Sequence, residues 1–303
     1  MTRNVVYIND VGPRDGLQNQ TNTLSVKQRI SLINALVQAN VAGIEVGSFV
    51  SPIAVPAMAH TDAVISGIHL PIGSSVQLSA LIPNMRGYES GCLTGIGLLS
   101  LVMAASNTMN EKNIRMDNQA TLDMFRHVMS RALADKQSVQ IYLATAWECP
   151  FEGHIQVDEV VRLAEQLFAL GASRLVIADT IGAASPDQVE MLLSRLLNIA
   201  PADKFSCHFH DTRAMGLANV YAALKQGIRR FDASIAGMGG CPFAPGASGN
   251  VATEDVVMLC EQMGFSTGVD MPALLDVANL AIQLTQGTTG GNAKPWLEKQ
   301  LKG

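Results

Sequence analysis

Residues 157–180 read VDEVVRLAEQLFALGASRLVIADT, and the architecture follows from this stretch. Val157, Val160, Val161, Ala164, Leu167 and Phe168 recur at intervals of three and four, which sets them on one face of an amphipathic helix. Arg174–Thr180 follows as a short β-branched and aliphatic run, a strand. The same alternation extends in both directions. Strand-like runs stand at Val5–Val11, Gly43–Phe49, Val76–Pro83, Gly97–Ser106, Val139–Glu148, Arg174–Thr180, Lys204–Asp211 and Arg229–Gly237. Helical periodicity fills the gaps: Val26, Ile30, Ile33, Leu36 and Val37 share a face within Ser25–Asn40, and Met191–Leu197 and Ala214–Gly227 continue the pattern. Strand alternating with helix implies parallel strands joined by crossover helices. Eight such units in roughly 250 residues predict a closed α/β barrel of the (β/α)8, or TIM, type. An open doubly wound sheet is the alternative. It would carry a Gly-rich phosphate fingerprint after its first strand, and the turn Val11-Gly12-Pro13-Arg14-Asp15-Gly16 lacks that spacing.

The barrel is expected over about residues 5–268, with extra C-terminal helices over about 270–303 and a flexible turn at Gly287–Asn292. No linker or repeat argues for a second domain, so residues 1–303 are read as one. Leu274, Leu275, Val277 and Leu280 could pack on the barrel or on a second subunit. At 48% hydrophobic and 16% charged residues, the chain has material for a large core and does not have the composition of a disordered protein. A net charge of −5 without any basic run argues against nucleic acid and anionic membrane surfaces as partners. Five cysteines, an odd and sparse set, read as reduced intracellular thiols rather than a disulfide framework. With no signal peptide, transit segment or apolar run of ~18 residues, cytoplasmic residence is expected.

A closed parallel barrel keeps its active site at the C-terminal mouth of the strands. Unusual polar residues fall there: Arg14 and Asp15 after the first strand, Glu45 in the second, Asn107 after the fourth, Asp179 ending the sixth, His208 and His210 ending the seventh, and Cys241 and Asn250 after the eighth. Side chains at i and i+2 of a strand share a face. His208 and His210 should therefore both face the barrel interior, while Phe205, Cys207 and Phe209 face the helices. Two such imidazoles can chelate one ion, or can be two buried histidines bonded to polar neighbours. With Asp15 and Asn250 at the same mouth, two nitrogen and two oxygen donors suit octahedral Mg2+ or Mn2+ better than a closed structural zinc site. Arg14 is either a surface residue on a turn or a permanently charged planar fork for a developing enolate or a carbonyl oxygen. The loop Ala236–Asn250 has the length and the Gly/Pro/Ala content of a lid. Cys241 within it is either small apolar filler or a thiol that exchanges a proton on closure.

Several of these stretches resemble the 3-hydroxy-3-methylglutaryl-CoA lyase family: Val11–Asn19, Ser48–Pro52, Asp179–Gly182, His208–Thr212 and the loop Gly239–Asn250. The resemblance runs from about Val5 to Val269, and the loop is its most specific part. It implies cleavage of 3-hydroxy-3-methylglutaryl-CoA to acetyl-CoA and acetoacetate with Mg2+ or Mn2+, by a homodimer. Carried over by position, Asp15, His208, His210 and Asn250 would hold the metal. Arg14 would stabilise the enolate, Cys241 would take part in protonating it, His208 would be ligand and proton acceptor together, and Glu45 and Asp179 would support hydroxyl deprotonation and position substrate. The chain departs from the family pattern at Ser106–Asn110, Thr145–Pro150 and Arg213–Gly216. Gln18, Ser48, Asn107, Trp147, Thr180 and Arg213 are the candidates for the substrate pocket. These departures bear on which acyl-CoA is cleaved, with citramalyl-CoA, yielding acetyl-CoA and pyruvate, as the alternative substrate. A catalytically dead CoA- or metal-binding barrel is the alternative from outside the enzymes. A Claisen synthase would carry a C-terminal regulatory domain, and a biotin-dependent transcarboxylase an interior Lys late in strand four, where Gly97–Ser106 has none.

Overall fold

The structure, a computed structural model, describes residues 4–18, 20–240 and 249–301. Eight barrel strands form: β1 (Tyr7–Asp10), β2 (Gly43–Ser48), β3 (Gln77–Leu81), β4 (Leu98–Ala104), β5 (Ser138–Ala144), β6 (Leu175–Asp179), β7 (Phe205–Phe209) and β8 (Arg230–Ala233). Each pairs in parallel with its neighbours in chain order, and β8 closes against β1, so the sheet is a barrel and not an open sheet. β2, β6 and β7 are buried at every residue, as strands covered on both faces must be.

Two strands stop earlier than their apolar runs. β5 ends at Ala144 because Thr145 turns left-handed at φ 52°, and the chain then makes a short hairpin, Glu148–Cys149 against Gly153–His154. β8 ends at Ala233, and Ala236 is again left-handed within the turn Ile235–Gly237. The helix expected around Met191–Leu197 starts earlier, at Pro186, since Ser185 and Gln188 form a capping box and Pro186 takes the first turn. Ser25 and Gln28 cap the helix Val26–Gln38 in the same way.

Leu32, Leu36, Leu163 and Leu192 are fully buried in the core. The outward faces of β7 carry Phe205 against Phe168 (ring centroids 5.5 Å apart) and Phe209 against Trp147 (5.8 Å). The apolar side of the C-terminal helix Met271–Thr285 packs on its own barrel, beside Val26–Gln38, with Leu274, Leu275 and Val277 buried. The turn expected to be flexible is pinned: the Gly291 N–H donates to Glu254 Oε1 (2.7 Å), Asn292 to Asp255 Oδ2 (2.8 Å) and Ala293 to Asp255 Oδ1 (2.9 Å). Cys92, Cys149, Cys207 and Cys260 are free thiols. No helix among the described residues is long and apolar enough to cross a membrane.

Candidate active site and metal centre

His208 lies in β7 and His210 just beyond its end, with ring centroids 5.2 Å apart. The segment that follows β8 is tied to this strand end. His210 and Asn250 form an antiparallel bridge, the Asp211 N–H donates to Gly249 O (3.1 Å) and Val251 N–H to Phe209 O (3.1 Å). From the other side comes the wide turn Gly12–Gly16, closed by a 3.1 Å bond from Gly16 N–H to Val11 O, which carries Asp15. Ligand atoms of Asp15, His208 and His210 all lie within 4.8 Å of one another. The Asn250 amide nitrogen donates to Asp15 Oδ2 (2.9 Å) and to Met238 O (3.0 Å). Its Oδ1 is left buried without a partner, as is His210 Nδ1. Buried polar atoms are normally satisfied. Two orphaned polar atoms beside a carboxylate and a second imidazole fit a hard divalent cation.

Arg14 is the counter-charge of this corner. Its Nε donates to Glu45 Oε2 (2.5 Å) and its Nη1 to Asp15 Oδ1 (2.6 Å). Glu45 is fully buried and its Oε1 has no partner. Burial works against the Arg14 charge, but Glu45 and Asp15 outweigh it and hold the guanidinium protonated. Burial also pushes the Asp15 carboxyl up, yet Arg14, His208 and His210 bring it down to about 2, so it is an anion. Burial raises Glu45 despite Arg14, and Asp232 adds to the rise. Burial and the neighbouring His208 lower His210 to about 4, leaving the neutral imidazole that ligates cations.

Asp232 and Tyr142 are the functional residues that sequence reasoning missed. Asp232 on β8 is the register partner of His208 on β7 and of Asn9 on β1. Its Oδ2 lies 3.2 Å from His208 Nδ1 and accepts the Tyr142 hydroxyl (2.7 Å), while Oδ1 accepts the Asn9 amide (2.8 Å). Against the cost of burial, the Asp232 bond raises His208 above the usual histidine value. The Tyr142 ring meets His208 edge-on at 6.1 Å and lies 5.9 Å from the Arg14 guanidinium carbon. Only the barrel register reveals this layer; a lone Asp within an apolar run does not.

Arg14, Asp15, Glu45, His208, His210 and Asn250 thus come together. Ser48 ends β2, buried, with an unpartnered Oγ. Asp179 ends β6 and accepts the Ala183 and Ala184 amides (2.8 and 3.1 Å), and burial raises its pKa against them. Thr180 Oγ1 accepts the Thr145 N–H (2.7 Å). Arg213 is exposed after β7, with Nη1 on Ala183 O (3.4 Å). Gln18 is half-buried two residues past the Gly12–Gly16 turn. Asn107 is exposed and accepts the Asn118 N–H (2.8 Å). Trp147 is buried on Phe209, its indole N–H on Gln188 O (3.2 Å), in the layer between barrel and helices rather than with the cluster. Cys241 lies outside the described residues.

The HMGL-like family profile matches residues 5–281. The chain belongs to that family. It is a carbon–carbon lyase of the 3-hydroxy-3-methylglutaryl-CoA lyase group. The hydroxymethylglutaryl-CoA lyase of Bacillus subtilis is 43% identical over 273 residues, covering 90% of this chain and 91% of that one. The (R)-citramalyl-CoA lyase of Chloroflexus aurantiacus is 40% identical over 278 residues, covering 89% and 88%. The structure of an HMG-CoA lyase from Acinetobacter baumannii in complex with coenzyme A and 3-methylmalate superposes with a TM-score of 0.93 at 37% identity, covering 97% and 96%.

Proposed function

We propose that this lyase, acting as one barrel unit over residues 1–303, cleaves 3-hydroxy-3-methylglutaryl-CoA to acetyl-CoA and acetoacetate. The observation that carries the reading is the convergence of Asp15, His208 and His210 within 4.8 Å, beside an Asn250 oxygen that nothing else uses. Asp15, His208, His210 and Asn250 would hold Mg2+ or Mn2+, which supplies Lewis-acid polarisation of the substrate oxygens. The remaining chemistry falls to side chains. The tertiary hydroxyl gives up its proton, the carbon–carbon bond breaks to leave acetoacetate and the enolate of acetyl-CoA, and the enolate carbon takes a proton. Arg14, fixed by Glu45 and Asp15, places its fork against the enolate oxygen. With Nδ1 turned to Asp232, His208 has one ring nitrogen left, so it serves as ligand or as proton acceptor but not both at once. Cys241, assigned from the sequence, is the donor to the enolate carbon, and Asp179 shapes the turn after β6 that borders the substrate.

The 40% identical citramalyl-CoA lyase keeps a second substrate in view. Chelator-stripped protein is assayed for acetyl-CoA release from both thioesters, with and without Mg2+ or Mn2+. Acetoacetate from the first substrate, formed only with metal, is the expected result. Pyruvate formed mainly from the second would move the protein to the sister activity, and no turnover with either would sink the reading. Cytoplasmic residence and a homodimer complete the proposal. Since the apolar side of Met271–Thr285 is spent on its own barrel, the dimer must use another surface.

A further inference from the structure

A cavity lies at the end of the barrel opposite the candidate active site. It encloses about 230 Å3 beside the N-terminal ends of the strands, with Asn9, Gln77, Gln140, Arg174, Ser206 and Arg230 on its walls. Arg174 precedes β6 and Arg230 opens β8, so two guanidinium groups reach one rim from strands separated only by β7. Neither is held in direct contact with a carboxylate. Among the described residues, no ion pair involves Arg174 or Arg230. Arg174 makes one long bond, Nη1 to Gln140 Oε1 at 3.3 Å, and its Nε is buried with no partner. Arg230 stacks on the Tyr7 ring at 4.2 Å. Burial and the charge of Arg230 hold Arg174 below the ordinary arginine range.

The carboxylates nearby attract this pair without pairing with it: Asp232 and Asp203 act on Arg174, and Asp203 on Arg230. Asp232 forms part of the inner wall, but its oxygens are taken by Asn9, Tyr142 and His208. Asp203 is exposed and attracts both arginines through space, but it forms an ion pair with neither. Arg14 at the other mouth shows the contrast, with a carboxylate on Nε and another on Nη1. Half-buried cations facing each other across a polar cavity are stabilised by an anion, and planar guanidinium forks match the oxygens of phosphate and carboxylate. The volume lies below the roughly 300 Å3 at which pockets for larger ligands begin, so the occupant is small.

We propose that this cavity binds a small multivalent oxyanion, phosphate or a short dicarboxylate, held between Arg174 and Arg230 with Gln140 and Ser206 as neutral partners. The test is thermal unfolding of the full chain in rising sodium phosphate, sodium malonate and sodium chloride at matched ionic strength. The melting temperature is expected to climb with the logarithm of phosphate or malonate concentration and not with chloride. Whichever anion acts names the source. Arg174→Gln and Arg230→Gln should each weaken the apparent affinity about tenfold. Should either fail to fold, the lysine variants, which keep charge but lose the fork, should show a smaller weakening. Equal responses to all three salts, or an undiminished response in the variants, would overturn the proposal.

Discussion

The Asp232 carboxylate on β8 sits 3.2 Å from His208 Nδ1 on β7, because the two residues are register partners across neighbouring strands. A carboxylate on the far nitrogen fixes the tautomer and orientation of a metal-ligating imidazole and raises its basicity. Asp232→Asn keeps the shape but removes the charge, and an amide presented to His208 no longer selects the tautomer. We expect Mn2+ affinity to fall by roughly 10- to 100-fold, read by titration of the stripped protein. Unchanged affinity would mean that His208 does not depend on this partner.

The fold and the first layer of the site were legible for a shared reason: both depend on short-range periodicity. Eight apolar runs spaced by amphipathic helices imply parallel strands, which close into a barrel, and His208 and His210 face one way because strands alternate. Asp232 and Tyr142 depend on register between strands distant in sequence, which one chain does not display. Tyr142, inside the apolar run of β5, reads as core until its hydroxyl is seen on Asp232. Trp147 misled for the converse reason. A bulky residue just past a strand end looks like a pocket wall, but the left-handed Thr145 turns the chain so that the indole packs outward on Phe209. The pinning of residues 291–293 escaped notice because its acceptors, Glu254 and Asp255, lie on a distant helix start.

Arg14→Lys separates charge from shape. A lysine keeps one positive charge beside Glu45 and Asp15 but cannot meet both carboxylates with a planar fork. Turnover should drop by about 10²- to 10³-fold, the size seen when one donor to a developing oxyanion is lost, while KM changes little. Steady-state kinetics with the preferred thioester decides. A KM effect alone would assign Arg14 to ground-state binding.

Asp10 gives stability an unusual pH dependence. Its carboxyl is fully buried, accepting the Gly12 N–H (2.8 Å) and the Thr253 hydroxyl (2.7 Å), and burial pushes its pKa to about 7. A folded-state value above the unfolded 3.8 means that the unfolded chain loses the proton first. This group's contribution to stability is therefore most favourable below about pH 4, declines as pH rises, and levels off above about pH 7. Asp10→Asn removes the titration while keeping an acceptor for Gly12. Denaturant unfolding between these limits should show the wild type losing up to roughly 4 kcal/mol more than the variant. Parallel curves would show that Asp10 does not titrate in that window.

Gly249 is where the backbone leaves no room for a side chain. A Cβ there would lie 2.3 Å from Gly237 O, 2.7 Å from Gly239 O and 2.9 Å from Gly239 N, all main-chain atoms that cannot rotate aside. The same segment carries Met238 O, which accepts the Asn250 amide, and Gly249 O itself accepts the Asp211 N–H. Gly249→Ala must therefore separate residues 237–239 from the strand end and turn the Asn250 side chain away from Asp15. We expect a loss of about 1–3 kcal/mol in stability, together with weakened Mn2+ binding. Gly73→Ala is the control. Its φ of +80° also disfavours a side chain, but nothing lies within 4 Å of the added carbon. It should cost roughly 1–2 kcal/mol and leave metal affinity intact. Equal metal affinity in the two variants would show that the Asn250 position does not depend on this close approach.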